Sequence, residues 1–221
     1  MINTNIPVSY SHREHKFFER YLDSDLDELA SFLEGKYKLI KDAQLRGVST
    51  MENDEGIWLE SGSLSTVKWR EYNVFQLYHP SLHKLYSELS STVKEACAYY
   101  GVDFDKQQYY VQGWFNINEA GNGKLNWHDH GAPGAPNFHG YYCVKAEPSI
   151  TYYRLFGDPN REVANHNIDN RMIVSEMGHP HAQGDWDWSG SRITVAYDIQ
   201  PLKSLLDAGI NTIEQHWIPL V

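Results

Sequence analysis

Apolar positions along this chain change their spacing near residue 108. Before that point they recur at helical intervals. Leu26, Leu29, Phe32 and Leu33 form one stripe behind Ser24-Asp25-Leu26-Asp27, where a capping side chain and early acids suit the positive end of a helix. Gly35 is the expected stop. A second stripe of Leu82, Leu85, Leu89, Val93 and Cys97 follows Pro80-Ser81 and ends at Gly101. Both stripes read as core packing against the outside of a sheet. The stretch from Lys36 to Glu71 has mixed polarity and predicts no element.

From Gln108 onward the pattern becomes one of short strand-forming runs separated by turn residues. Strands are predicted at Tyr109–Asn118, Gly140–Glu147, Thr151–Phe156, Arg171–Ser175 and Arg192–Ile199, with Trp217–Leu220 as a weaker candidate. Gly121-Asn122-Gly123 and Gly131-Ala132-Pro133-Gly134 mark loops. Evenly spaced short strands indicate a barrel or a double-sheet jelly roll. The expected fold is mainly β within the α+β class, as a single domain over residues 1–221. Helical support is expected over about 1–105, and a jelly-roll core over about 106–221.

Composition narrows the function. An aromatic content of 14%, with 7 Trp and 15 Tyr, favours strands over a helical bundle. A formal charge of −10 argues against nucleic acid or an anionic membrane as the main partner, while leaving room for a small anion at a local cation. Cys97 and Cys143 form no C-x-x-C pair, which fits a reducing cytoplasm and no thiolate metal site. No apolar leader follows a basic start, and no run of roughly eighteen apolar residues occurs, so a cytoplasmic protein is expected.

The chemistry centres on Asn126-Trp127-His128-Asp129-His130-Gly131. Residues two apart on a strand project to one face, so His128 and His130 can share a metal ion. A third histidine from a distant strand, His181, would complete one face and leave the opposite positions open, as in non-haem Fe(II) sites. With 11 histidines, chance pairs are expected: His12 with His15 and His79 with His83 are read as coincidence. His139, His166 and His216 are read as surface or packing residues.

The order of the surrounding segments sharpens this reading. Gly113-Trp114-Phe115-Asn116-Ile117-Asn118, the H-x-H, and Gly140-Tyr141-Tyr142-Cys143-Val144 resemble the core of the Fe(II)/2-oxoglutarate-dependent oxygenases, especially the prolyl-4-hydroxylase-like branch and related bacterial and phage members. Tyr153-Arg154-Leu155-Phe156-Gly157-Asp158-Pro159 is similar to that family's next strand and turn. Ile173 to His181 resembles its distal iron-binding segment, and Arg192 to Ile199 its 2-oxoglutarate-binding strand. Arg192 follows His181 by eleven residues, a separation that suits the family better than the thirteen from His179. The resemblance covers about residues 108 to 200.

It implies Fe(II), O2 and 2-oxoglutarate, with ascorbate in support, and hydroxylation of a peptide, protein or small metabolite with release of succinate and CO2. Arg192 would grip the distal carboxylate of 2-oxoglutarate, with Thr194 on the same face as a further donor. Tyr142 is a third candidate by resemblance, against buried packing. Trp186 and Trp188 sit in a loop that would roof the metal mouth, or else form a rigid aromatic turn.

One departure stands out: the family usually places a carboxylate where this chain has His130. Either His128, His130 and His181 form a three-histidine face, or the chain bulges after His128 and Asp129 becomes the ligand. Side-chain direction favours the histidines. A three-histidine cupin-type dioxygenase without 2-oxoglutarate, and a jelly-roll binding protein without catalysis, are the rival readings.

Overall fold

The computed structural model describes residues 15–45, 63–66, 72–121, 125–131, 136–184, 186 and 189–221. Eleven strands are found among them: β1 (Phe18–Tyr21), β2 (Ser63–Ser65), β3 (Tyr109–Asn118), β4 (Leu125–His128), β5 (Phe138–Lys145), β6 (Ile150–Arg154), β7 (Glu162–His166), β8 (Arg171–Glu176), β9 (His181–Gln183), β10 (Arg192–Pro201) and β11 (Ile218–Pro219). Three helices accompany them, α1 (Leu26–Leu45), α2 (Pro80–Tyr100) and the short α3 (Leu202–Asp207). All the strand pairs are antiparallel. A seven-stranded sheet runs β1-β8-β5-β10-β3-β11, with β2 also on β3, and faces a four-stranded sheet in the order β4-β9-β6-β7. This is the double-stranded β-helix, or jelly roll, expected from the strand pattern.

The two helices cover the outer face of the large sheet. Asp25 caps α1 by accepting a hydrogen bond from the Glu28 amide at 3.0 Å. The helix does not stop at Gly35. Its apolar stripe continues from Leu29 and Leu33 to Tyr37 and Ile40, all buried, and their burial outweighs the ~1 kcal/mol cost of a helical glycine. In α2, Nδ1 of His79 caps the Ser81 amide at 3.2 Å, Pro80 takes the first helical position, and Gly101 closes the far end at φ 71°. His79 therefore has a structural task.

Strand parity divides the large sheet. Ile193, Val195, Tyr197 and Ile199 of β10 join Phe138, Tyr142 and Val144 of β5 and the helical stripes in one apolar core. Trp114, Tyr141, Cys143, Tyr153, Ile173 and Ala196 form a smaller cluster between the sheets. Gly140 lets β5 and its neighbour β8 lie close within the large sheet: a Cβ there would lie 1.9 Å from the Ile173 carbonyl oxygen. The region expected to be helical support also supplies two strands of the large sheet, β1 and β2.

Candidate metal centre

The space between the sheets holds an unusual concentration of imidazole. His128 at the end of β4 is the cross-strand partner of His181 at the start of β9, with ring centroids 4.3 Å apart. His130 approaches both, at 5.2 Å from His128 and 5.1 Å from His181. One nitrogen from each of these three rings lies within 4.8 Å of the others. The H-x-H pair does not reach this point by regular pleating, because β4 ends at His128. His130 lies just beyond the strand and is held by stacking on Trp114, centroids 5.5 Å apart, and by a bond to Asp198.

Each ring is tied through the same atom. Nδ1 of His128 meets the Asn126 carbonyl at 2.8 Å, Nδ1 of His130 meets the Asp198 carboxylate at 3.2 Å, and Nδ1 of His181 meets the His179 carbonyl at 3.2 Å. A carbonyl or carboxylate only accepts, so each Nδ1 donates and each Nε2 keeps its lone pair. Three lone pairs on closely grouped rings are what a divalent cation needs. Burial, reinforced by the neighbouring imidazoles, holds His181 well below the ordinary histidine range, and burial likewise lowers His128. Both are neutral near pH 7. Burial also disfavours the charged form of His130, but the negative charge of Asp198 outweighs it and raises this group. Asp129 is exposed, and its carboxylate accepts from the Gly131 amide at 3.4 Å.

A fourth ring, His139, completes the group, although its isolation in the sequence marked it as packing. It lies on β5 opposite Asp198 of β10, and its Nδ1 meets that carboxylate at 2.8 Å. Its ring stacks 4.0 Å from His130. Burial lowers its pKa to about 4.

Arg192 enters the same space from β10 and is buried. Its Nε donates to Ser149 Oγ at 2.9 Å and its Nη1 to Gln183 Oε1 at 2.7 Å. Gln183 stands two residues beyond His181 on β9, roughly 6.5 Å along the strand, so the guanidinium is tied to the strand carrying a cluster histidine. Among the described residues no carboxylate forms an ion pair with Arg192. A buried cation with only neutral partners calls for an anion. Thr194 is buried two residues further along the same face.

Tyr142 does not share this space. Its ring lies in the helix-side core and its hydroxyl donates to Asn170 Oδ1 at 2.6 Å. The preceding Tyr141 faces inward and donates to Asn167 Oδ1 at 2.8 Å; Asn167 in turn donates to Ser149 Oγ, the acceptor of Arg192. Trp186 is buried, and its indole N–H donates to the Gly190 carbonyl at 3.0 Å. Trp188, His12 and the 132–135 loop lie outside the described residues.

A second group, His15, Glu176 and His179, lies beside the first across a cavity lined by His130, His181, Tyr153 and Ser175. Nδ1 of His179 accepts the Phe156 amide at 2.9 Å, which places the ring proton on Nε2. That ring offers its neighbours an N–H instead of a lone pair, which disfavours a cation there.

The two sheets of the jelly roll thus enclose a cluster of three imidazoles. No protein-family model matches the sequence, and no curated protein matches it. Solved structures share its fold. AviO1 from Streptomyces viridochromogenes Tue57 superposes with a TM-score of 0.56 at 13% identity, over 85% of this chain and 90% of its own. The non-haem α-ketoglutarate-dependent carbocyclase SnoK from nogalamycin biosynthesis gives 0.54 at 12%, over 88% and 84%. HygX from Streptomyces hygroscopicus, with nickel, 2-oxoglutarate and hygromycin B bound, gives 0.51 at 9%, over 85% and 84%. At these identities the likeness establishes the double-stranded β-helix fold.

Proposed function

We propose that this protein is an Fe(II)- and 2-oxoglutarate-dependent dioxygenase, with His128, His130 and His181 as the metal-binding face. The observation that carries the reading is Arg192: a buried guanidinium that pairs with no carboxylate among the described residues, tied through Gln183 to the strand of His181. A dicarboxylate meets that need. One carboxylate lies against the guanidinium in paired, charge-assisted hydrogen bonds, and Thr194 adds its hydroxyl. Ser149 and Gln183 fix the fork in advance, so little side-chain freedom is lost on binding. Fe(II) held by the histidines supplies the redox chemistry that couples decarboxylation of 2-oxoglutarate to oxidation of a C–H bond. The chain contributes orientation, three imidazole nitrogen donors and a poorly solvated setting. His130 serves in preference to Asp129, which faces solvent.

Hydroxylation is the outcome we assign. Because the structural relatives include a carbocyclase and a protein holding hygromycin B, small molecules are the first substrates to try, ahead of the prolyl peptides suggested by the nearest branch of the family. The test is succinate formation from 2-oxoglutarate with Fe(II) and ascorbate, in the wild type and in His181→Ala. Succinate from the wild type alone supports the reading. No succinate, together with iron content unchanged in His181→Ala, would leave a jelly-roll binding protein as the better account.

A further inference from the structure

The carboxylate shared by two histidines is built too deliberately for packing alone. Asp198 accepts from Nδ1 of His139 at 2.8 Å and of His130 at 3.2 Å. The side chains of His130, His139 and Asp198 are 11%, 6% and 15% exposed, so the three groups share one poorly solvated space. Trp114 lies nearly parallel to both rings, 5.5 Å from His130 and 6.2 Å from His139. A carboxylate in such a place is costly unless its oxygens are satisfied, and two imidazole N–H groups satisfy them. Both bonds have hydrogen-bond lengths, so a proton lies in each. That disfavours His130, His139 and Asp198 as a metal-binding set of their own, although their donor atoms also fall within 4.8 Å of one another.

Resting on the metal centre proposed above, we propose that Asp198 is the acid of that centre moved one layer outward. It is a positioning residue: it fixes the Nδ1–H tautomer of His130, leaves Nε2 for the ion, and supplies the negative charge that three imidazoles lack. His139 is the second clasp: its Nδ1 holds Oδ1 at 2.8 Å, while His130 Nδ1 lies 3.2 Å from both oxygens, so that Asp198 stays on His130. The chain that carries histidine at position 130 in place of a ligating carboxylate thus keeps a carboxylate hydrogen-bonded to that same histidine.

The test uses the full chain with Co(II) alone. Affinity is measured by chelator competition, and tautomers by two-bond 1H–15N spectra, with His130 assigned through His130→Asn. Asp198→Asn should lower Co(II) affinity about 10- to 100-fold. It should also turn the single His130 tautomer into a mixture, because the carboxamide carries no charge and replaces one acceptor oxygen with an N–H donor that can meet an unprotonated Nδ1. Asp198→Glu should recover part of the affinity. His139→Ala should cost less than Asp198→Asn, and His181→Ala should abolish binding. Co(II) affinity within twofold of wild type in Asp198→Asn would overturn the proposal, as would loss in His139→Ala as complete as in His181→Ala. If Asp198→Asn does not fold, the wild-type spectrum decides: a His130 protonated on Nε2 overturns the proposal. Wild-type Co(II) binding by His181→Ala would instead remove the metal centre itself, a separable failure.

Discussion

Along β10, Ile193, Val195, Tyr197 and Ile199 enter the core beneath the helices, whereas Arg192, Thr194, Ala196 and Asp198 enter the space between the sheets. Neighbouring strands repeat the division. On β5, Phe138, Tyr142 and Val144 face the helices, while His139, Tyr141 and Cys143 face inward. One backbone thus presents a dry apolar surface and a polar, hydrogen-bonded one separated only by the thickness of a sheet. The outer face is largely apolar, and its buried polar groups, such as the Tyr142 and Tyr197 hydroxyls and the Asn73 carboxamide, are hydrogen-bonded in place, so its contribution is stability. The inner face carries a buried guanidinium, a buried carboxylate and four clustered imidazoles, a set whose desolvation only specific pairing can offset.

Substituting one residue on each face separates these roles, and the largest effect is expected inside. Arg192→Met removes the buried cation while keeping a side chain of similar reach. Two charge-assisted hydrogen bonds of ~1.5–3 kcal/mol each are then lost to 2-oxoglutarate. That corresponds to a dissociation constant weaker on the order of 10²–10⁴-fold, measured by calorimetry on the Ni(II)-loaded protein. The urea midpoint of the apoprotein should stay near wild type, because removing an uncompensated buried charge offsets the bonds to Ser149 and Gln183. Unchanged 2-oxoglutarate binding would place the anchor elsewhere. The complementary outer substitution is Leu85→Ala, on the buried face of α2. It should cost ~2–5 kcal/mol in urea unfolding while leaving Ni(II) affinity of the folded protein unchanged. A loss of metal affinity there would mean that the two faces are coupled through the sheet.

The same division explains what could be read in the sequence. β3 and β10 were predicted almost to the residue, because ten-residue strands carry a long pattern. Spacing singled out His128, His130, His181 and Arg192; the structure groups the three rings, although His130 lies beyond the strand expected to carry it, and ties Arg192 to β9 through Gln183. His139 was set aside because it stands alone in the sequence, and Tyr142 was preferred to Tyr141 through the family resemblance; the local pattern could correct neither. β5 is buried on both faces over seven of its eight residues, so no contrast between polar and apolar positions marks which side is which. The signal that would have found His139 is parity: Asp198 shares the face of Arg192 on β10, and His139 is the partner of Asp198 on β5. β1, β2 and β9, at three or four residues, are too short to show a period. They exist because longer neighbours pair with them. Gly35 misled in the opposite sense, since the helical stripe beyond it was obscured by the mixed polarity after residue 36.

The smallest effect tests how closed the inner face is. Cys143 lies there, fully buried, and burial pushes its thiol up to about 12. An ordinary thiol ionises near 8.5, so the unfolded chain releases this proton first. Above that pH the unfolded state binds fewer protons than the native one, and stability falls as pH rises toward 12. Native protein at pH 8 should therefore resist iodoacetamide at Cys143, while urea-unfolded protein reacts. Across pH 8.5 to 10.5 the urea midpoint of the wild type should decline more steeply than that of Cys143→Ala. The comparison must be of slopes, since the alanine variant also loses packing at every pH. Tyr142, held up to about 12 by burial, ionises on unfolding in the same direction and leaves a residual slope in both proteins. Equal slopes, or rapid native alkylation at pH 8, would show that water reaches between the sheets at Cys143, and the inner face would then be far less sealed than the outer.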